Sequence, residues 1–163
     1  MERGIERSFL LITTFIGVVL LPFAIGKRPL KDWIIVYLVS CIGNSFADRL
    51  LVSKGYLKYK VRPFRKKLSI HLPFDYILYP LFLLYFNQWT LNSKPSAIIL
   101  KLFAMTIPQV IIETIAAKKT DLITWKKGWG WQQSFVSLAI KFLMCRTIIA
   151  CIRILNKKEN SIT

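Results

Sequence analysis

Residues 72–90 read LPFDYILYPLFLLYFNQWT, and the reading of this stretch decides the fold. It is apolar or aromatic almost throughout, yet it opens on Asp75 and closes on Trp89. A soluble core helix of this length would alternate apolar and polar faces at a period of about 3.6 residues. This run has no polar face. A segment apolar on every side suits a helix immersed in lipid, with its aspartate and tryptophan near the two ends.

Four further runs of the same kind lie on either side. The spacing predicts an all-α polytopic membrane protein, a bundle of about five transmembrane helices over residues 8–26, 32–53, 73–90, 96–117 and 131–155. Turn-forming residues punctuate the joints at Gly26 to Pro29, Lys54-Gly55, Asn92 to Pro95 and Gly128 to Gly130. The short joints leave no room for a second folded unit, so residues 1–163 read as a single transmembrane domain. The first run, with two early arginines and a small-residue end, also has features of a signal peptide, but Glu2, Glu6 and its length argue against cleavage.

Composition agrees. The chain is 54% hydrophobic with a mean hydropathy of +0.45, above the roughly 45–50% apolar content of soluble domains. Its 24 basic residues outnumber 8 acidic ones, for a net charge of +16. The basic residues fall between the apolar runs rather than along one stripe, which points to anionic lipid headgroups and away from nucleic acid. All five tryptophans (Trp33, Trp89, Trp125, Trp129, Trp131) lie close to a run end, where indole favours the headgroup boundary.

Lys and Arg also set an orientation. The N-terminal tail, the second loop and the fourth loop carry thirteen of them, against six on the other side. The expected topology therefore places the N-terminus in the cytoplasm and the C-terminus outside. The second loop, residues 54–72, mixes basic residues with Tyr56, Tyr59 and Phe64 and could lie along an anionic leaflet.

Ionisable groups inside apolar runs are costly, about 2.5–3.5 kcal/mol each at mid-helix. Asp48, Asp75 and Glu113 occupy three different runs at about one depth on the cytoplasmic side. Asn44 and Asp48 share a helix face, as do Asp75 and Tyr79. Thr106, Gln109 and Glu113 form one polar stripe and Ser134, Ser137 and Lys141 another, with Arg146 deeper. Pro108 is expected to kink its helix. The candidate intramembrane polar cluster is thus Asn44, Asp48, Asp75, Tyr79, Gln109, Glu113, Lys141 and Arg146. Two readings stand: polar contacts that hold helices together, or a site for a proton, cation or ligand. Lys101 and Arg153 are expected to reach for the outer interface.

Chemistry beyond this is sparse. His71 stands alone without metal-ligand spacing, so no metal is expected. Phosphate loops, dinucleotide fingerprints and nucleophile elbows do not occur, and neither an enzymatic activity nor a cofactor is expected. Cys41, Cys145 and Cys151 lie in apolar runs and read as packing residues. The composition points to a non-enzymatic membrane component; the alternative is a small transporter or proton/cation pathway, which would need a homo-oligomer or protein partner because five short helices enclose little.

The chain resembles the "CBO" family of small multi-span membrane proteins, found mainly in spore-forming Gram-positive bacteria. The resemblance covers about residues 28–153. It is carried by Arg62-Pro63-Phe64, by FDYILYP at 74–80, by NQWT at 87–90, by Lys101, Pro108 and Glu113, and by TDLITWKKGWGW at 120–131. The family pattern often has proline where this chain has Lys60 and a second glutamate where it has Ala117. The second departure leaves Glu113 as the single carboxylate of its run. The resemblance implies a protein of a bacterial cell membrane and carries no activity with it.

Overall fold

A computed structural model describes residues 2–59, 74–120 and 122–159. The order is α1 (Glu2–Ile25), α2 (Leu30–Ser53), β1 (Leu57–Lys58), a π-helical turn (Phe74–Leu78) that runs into α3 (Tyr79–Thr90), α4 (Pro95–Lys119), β2 (Thr124–Trp125) and α5 (Trp131–Glu159). The architecture is all-α, five helices with one minimal two-stranded ribbon.

Four segments are long and apolar enough to cross a membrane: Ser8–Ile25, Leu30–Ser53, Pro95–Lys119 and Trp131–Lys158. The third run is shorter than the others. Its π turn and α3 rise about 25 Å together, less than the roughly 30 Å of a hydrocarbon core. Pro108 is accommodated within a continuous α4.

The quoted stretch forms the middle of the bundle. Tyr79, Leu83, Leu84 and Phe86 of α3 are buried, packed against Trp33 and Val36 of α2, Leu102 of α4 and Phe142 of α5. Phe142 meets the edges of two rings, Tyr79 at 6.1 Å and Phe86 at 5.0 Å between centroids. Edge-to-face pairs of this kind are favourable beyond their buried area. Gly17 lets α1 approach the π turn: a Cβ there would lie 2.7 Å from Ile77 Cγ2.

The outer surface inverts the usual soluble arrangement. Phe15 and Phe23 on α1, Ile42 and Phe46 on α2, Leu100 on α4 and Ile154 on α5 are each exposed, as are many of their neighbours. Apolar surface this continuous marks a face that meets something other than water. The tryptophans divide differently from the interfacial expectation. Trp89 and Trp131 are exposed, whereas Trp33 is 2% exposed and belongs to the core. Trp33 sits in the first turn of α2 on the face that packs into the core, so proximity to a helix end did not leave it on the surface.

The second and fourth loops meet at one end of the bundle. Leu57 pairs with Trp125 and Lys58 with Thr124, antiparallel. Lys127 Nζ donates to the Lys54 carbonyl at 2.6 Å, and Tyr56 and Trp129 pack at 5.5 Å between ring centroids. Gly55, at φ +77°, takes the left-handed conformation that lets the chain turn out of α2 into β1.

Candidate functional site

The ribbon end covers a polar cluster set among the helices. Asn44 is its joint. On α2, Asn44 donates through Nδ2 to Asp75 Oδ1 at 2.6 Å and accepts at Oδ1 from Lys141 Nζ at 2.8 Å. One amide therefore links α2, the π turn and α5, and its orientation is fixed because its two ends need opposite partners. The Lys141 ammonium also lies 5.0 Å from the centroid of the Tyr79 ring, a cation–π contact one turn beyond Asp75.

Two acids flank this joint. Asp48, one turn nearer the ribbon on α2, accepts from the Tyr59 hydroxyl at 2.6 Å. Glu113 on α4 accepts through Oε1 from Ser134 Oγ at 2.8 Å and from Trp125 Nε1 at 3.3 Å. Ser134 accepts in turn from Trp129 Nε1 at 2.9 Å. Lys141 is within electrostatic reach of all three carboxylates, Asp48, Asp75 and Glu113. Desolvation, and then the neighbouring Asp48, push the Tyr59 hydroxyl well above the ordinary tyrosine range, so it remains a proton donor throughout neutral pH.

Asp75 is only half satisfied. It is 1% exposed, and its Oδ2 is buried without a hydrogen-bond partner. Its nearest cation, Lys141, bonds the intervening amide instead of the carboxylate. A buried carboxylate oxygen with no donor is costly, and it is an acceptor open to a proton or a small cation.

The sequence-derived candidates separate into three groups. Asn44, Asp48, Asp75, Tyr79, Glu113 and Lys141 come together. Gln109 does not join them: both amide atoms are buried without a hydrogen-bond partner, and no bond connects them to Glu113 one turn away. Arg146 belongs to the other end of the bundle. Its Nη2 donates to the Thr90 and Leu91 carbonyls at 3.3 and 3.1 Å, closing the C-terminus of α3. Arg153, expected to reach the outer interface, pairs with Asp32 in the first turn of α2. Lys101 is half-buried, bonded at 2.8 Å to both the Trp89 carbonyl and Ser93 Oγ.

Tyr59, Trp125 and Trp129 were not among the sequence candidates, although the aromatic-rich loops that carry them were visible. Ser134 was visible as part of the Lys141 stripe. His71 and the basic positions Lys60 to Lys67 lie outside the described residues. Among the described residues no group of three or more His, Cys, Asp or Glu side chains could hold a metal ion. The three cysteines are free thiols.

Fold and site together define an all-α bundle with an apolar outer surface and an acid-rich cluster beneath one end. No protein-family model, curated protein or solved structure matches this chain.

Proposed function

We propose that the chain is a non-enzymatic, multi-pass component of a bacterial cytoplasmic membrane whose carboxylate–lysine cluster takes up and releases protons or a small cation. In this reading all five helices are inserted, with the N-terminus and the ribbon end in the cytoplasm. Supporting it are the four long apolar helices, the exposed aliphatic and aromatic surface, and the thirteen-to-six distribution of basic residues. The pairing of the second and fourth loops agrees with an even number of crossings between them. The resemblance to the small multi-span family supports the bacterial membrane.

The observation that carries the functional half is Asp75 Oδ2, buried and without a partner beside a cluster in which Asp75 and Glu113 share one ammonium. Helix-to-helix polar adhesion would be served as well by one acid and one base. The extra carboxylate has a use if the cluster changes its proton or cation content. Toward the far end the core closes over with Val36, Leu83, Leu84, Phe86 and Phe142, so exchange occurs from the ribbon end unless the helices shift or a second copy completes a path.

The test compares Asp75→Asn with Asp75→Leu, with proton and cation flux in liposomes and thermal stability in detergent measured on the same preparations. Asp75→Asn should abolish flux with stability near wild type, because an amide still bonds Asn44 but cannot titrate. Asp75→Leu should also lose stability. Wild-type protein that moves neither protons nor cations would leave the cluster as a structural contact. If both variants match wild type in both assays, Asp75 has no role in either.

A further inference from the structure

Where α2 and α5 lie side by side, a lateral groove of about 730 Å³ opens on the flank of the bundle. Its lining includes Tyr79 and Leu83 of α3, Gly43 and Ala47 of α2, and Ile140 and Met144 of α5. It reaches the ribbon end beside Trp129 and Gln132, and on that end Lys54, Lys58, Lys126 and Lys127 are all exposed. An apolar slot leading to a face of fixed positive charge matches a molecule with an acyl tail and an anionic head.

We propose that this groove holds one acyl chain of an anionic phospholipid, with the phosphate on the lysine face. The inference rests on the membrane insertion proposed above and is independent of proton or cation handling. A transmembrane helix is the wrong guest. Lys141 and Asn44 tie α5 to α2 at 2.8 Å, and Arg153 and Asp32 join the same two helices elsewhere, so two polar ties oppose the opening that a helix of roughly 10 Å diameter would need. Gly43 keeps the wall low without serving any contact inside the chain: a Cβ there would meet nothing within 4 Å. Lys141 and Asn44 are part of the groove's lining, so a seated chain covers the polar cluster on its lipid side.

The experiment equilibrates the full-length protein with vesicles of equimolar phosphatidylglycerol and phosphatidylcholine, releases it in mild detergent, and reads the retained lipid by native mass spectrometry. Wild type should keep one phosphatidylglycerol per chain in preference to phosphatidylcholine. Gly43→Leu fills open space, so its helicity and melting should hold while the lipid adduct disappears. Lys126→Gln should keep a lipid but lower the preference for phosphatidylglycerol about fivefold, the effect of losing about 1 kcal/mol of headgroup attraction. Equal retention of both lipids by wild type, or an undiminished adduct in Gly43→Leu, overturns the proposal. So does a pair of chains without lipid that Gly43→Leu converts to single chains, since a second copy then occupies the flank. A protein that stays dispersed without detergent and ignores the vesicles fails the membrane reading itself, whereas an embedded protein without retained lipid fails only the groove.

Discussion

The two ends of the bundle treat charge in opposite ways. At the end where α3 terminates, three cations each have an acceptor: Arg153 has Asp32, Arg146 the Thr90 and Leu91 carbonyls, and Lys101 the Trp89 carbonyl. At the ribbon end Asp48, Asp75 and Glu113 gather around one ammonium, and that ammonium bonds an amide. The first arrangement gives each of these three charges an acceptor, although Arg146 Nε is buried without a hydrogen-bond partner. The second leaves Asp75 Oδ2 as a buried acceptor without a donor. Buried polar groups that are fully satisfied rigidify a structure, while an unsatisfied one stores a demand that a proton or ligand can meet.

The contrast is most exposed at Lys141. Lys141→Met removes the cation shared by Asp75 and Glu113 and leaves Asn44 Oδ1 without a donor, so it should cost about 3–5 kcal/mol of unfolding free energy in detergent. Coupling sharpens this. Adding Asp75→Asn to Lys141→Met should recover part of the loss, because the uncompensated carboxylate is then gone, whereas adding it to Arg153→Leu should be additive. Additivity in both pairs would mean that the acids and Lys141 do not act as one unit.

Arg153→Leu should be the next largest, about 1.5–3 kcal/mol for a lost hydrogen bond between charged groups. It should be smaller than Lys141→Met because Arg153 keeps 35% of its side chain exposed and Asp32 sits at a helix start, where the macrodipole favours a negative charge. Thermal unfolding of the two variants side by side checks the order, and the reverse order would remove the distinction between the ends.

Arg146→Gln should cost about 1–2 kcal/mol, the scale of leaving the last α3 carbonyls without their charged donor. It should leave the flux of the reconstituted protein unchanged. A loss of flux with stability intact would return Arg146 to the functional cluster.

The smallest effect is expected at Tyr59, and its pH dependence carries a sign. Its hydroxyl is held well above the ordinary tyrosine range in the fold, so the folded state favours the protonated form. That contribution is complete below the unfolded value of about 10 and is lost as pH rises above it. Wild-type melting temperature should therefore fall more steeply above about pH 10 than that of Tyr59→Phe, while near neutrality the variant loses only about 0.5–1.5 kcal/mol. Parallel profiles would show that Tyr59 does not seal Asp48.

Some of the site was legible in the chain before any coordinates. Asn44 and Asp48 lie four residues apart and must share a face of a helix, and the stripe of Ser134, Ser137 and Lys141 repeats at the same period. Arg146 shows the limit of that reasoning. Five residues beyond Lys141 it stands about 140° around the helix and about 7.5 Å along it, enough to put it among the carbonyls that end α3. Gln109 shows another limit, since a polar stripe gives a direction but no partner. Tyr59 and Trp125 reach the cluster only because two distant loops pair as strands, and hydrophobic periodicity says nothing of such a pairing.

By itself the sequence determined that the chain would be helical, apolar on its outside and basic in its loops, because length, hydropathy and charge act locally along each segment. Only the tertiary structure decided that the short third helix would lie at the centre, that Trp33 would be core, and that Asn44 would join an aspartate 31 residues and a lysine 97 residues further along the chain than itself. Those outcomes depend on which faces of which helices meet, and that is settled by packing between segments, which no single segment encodes.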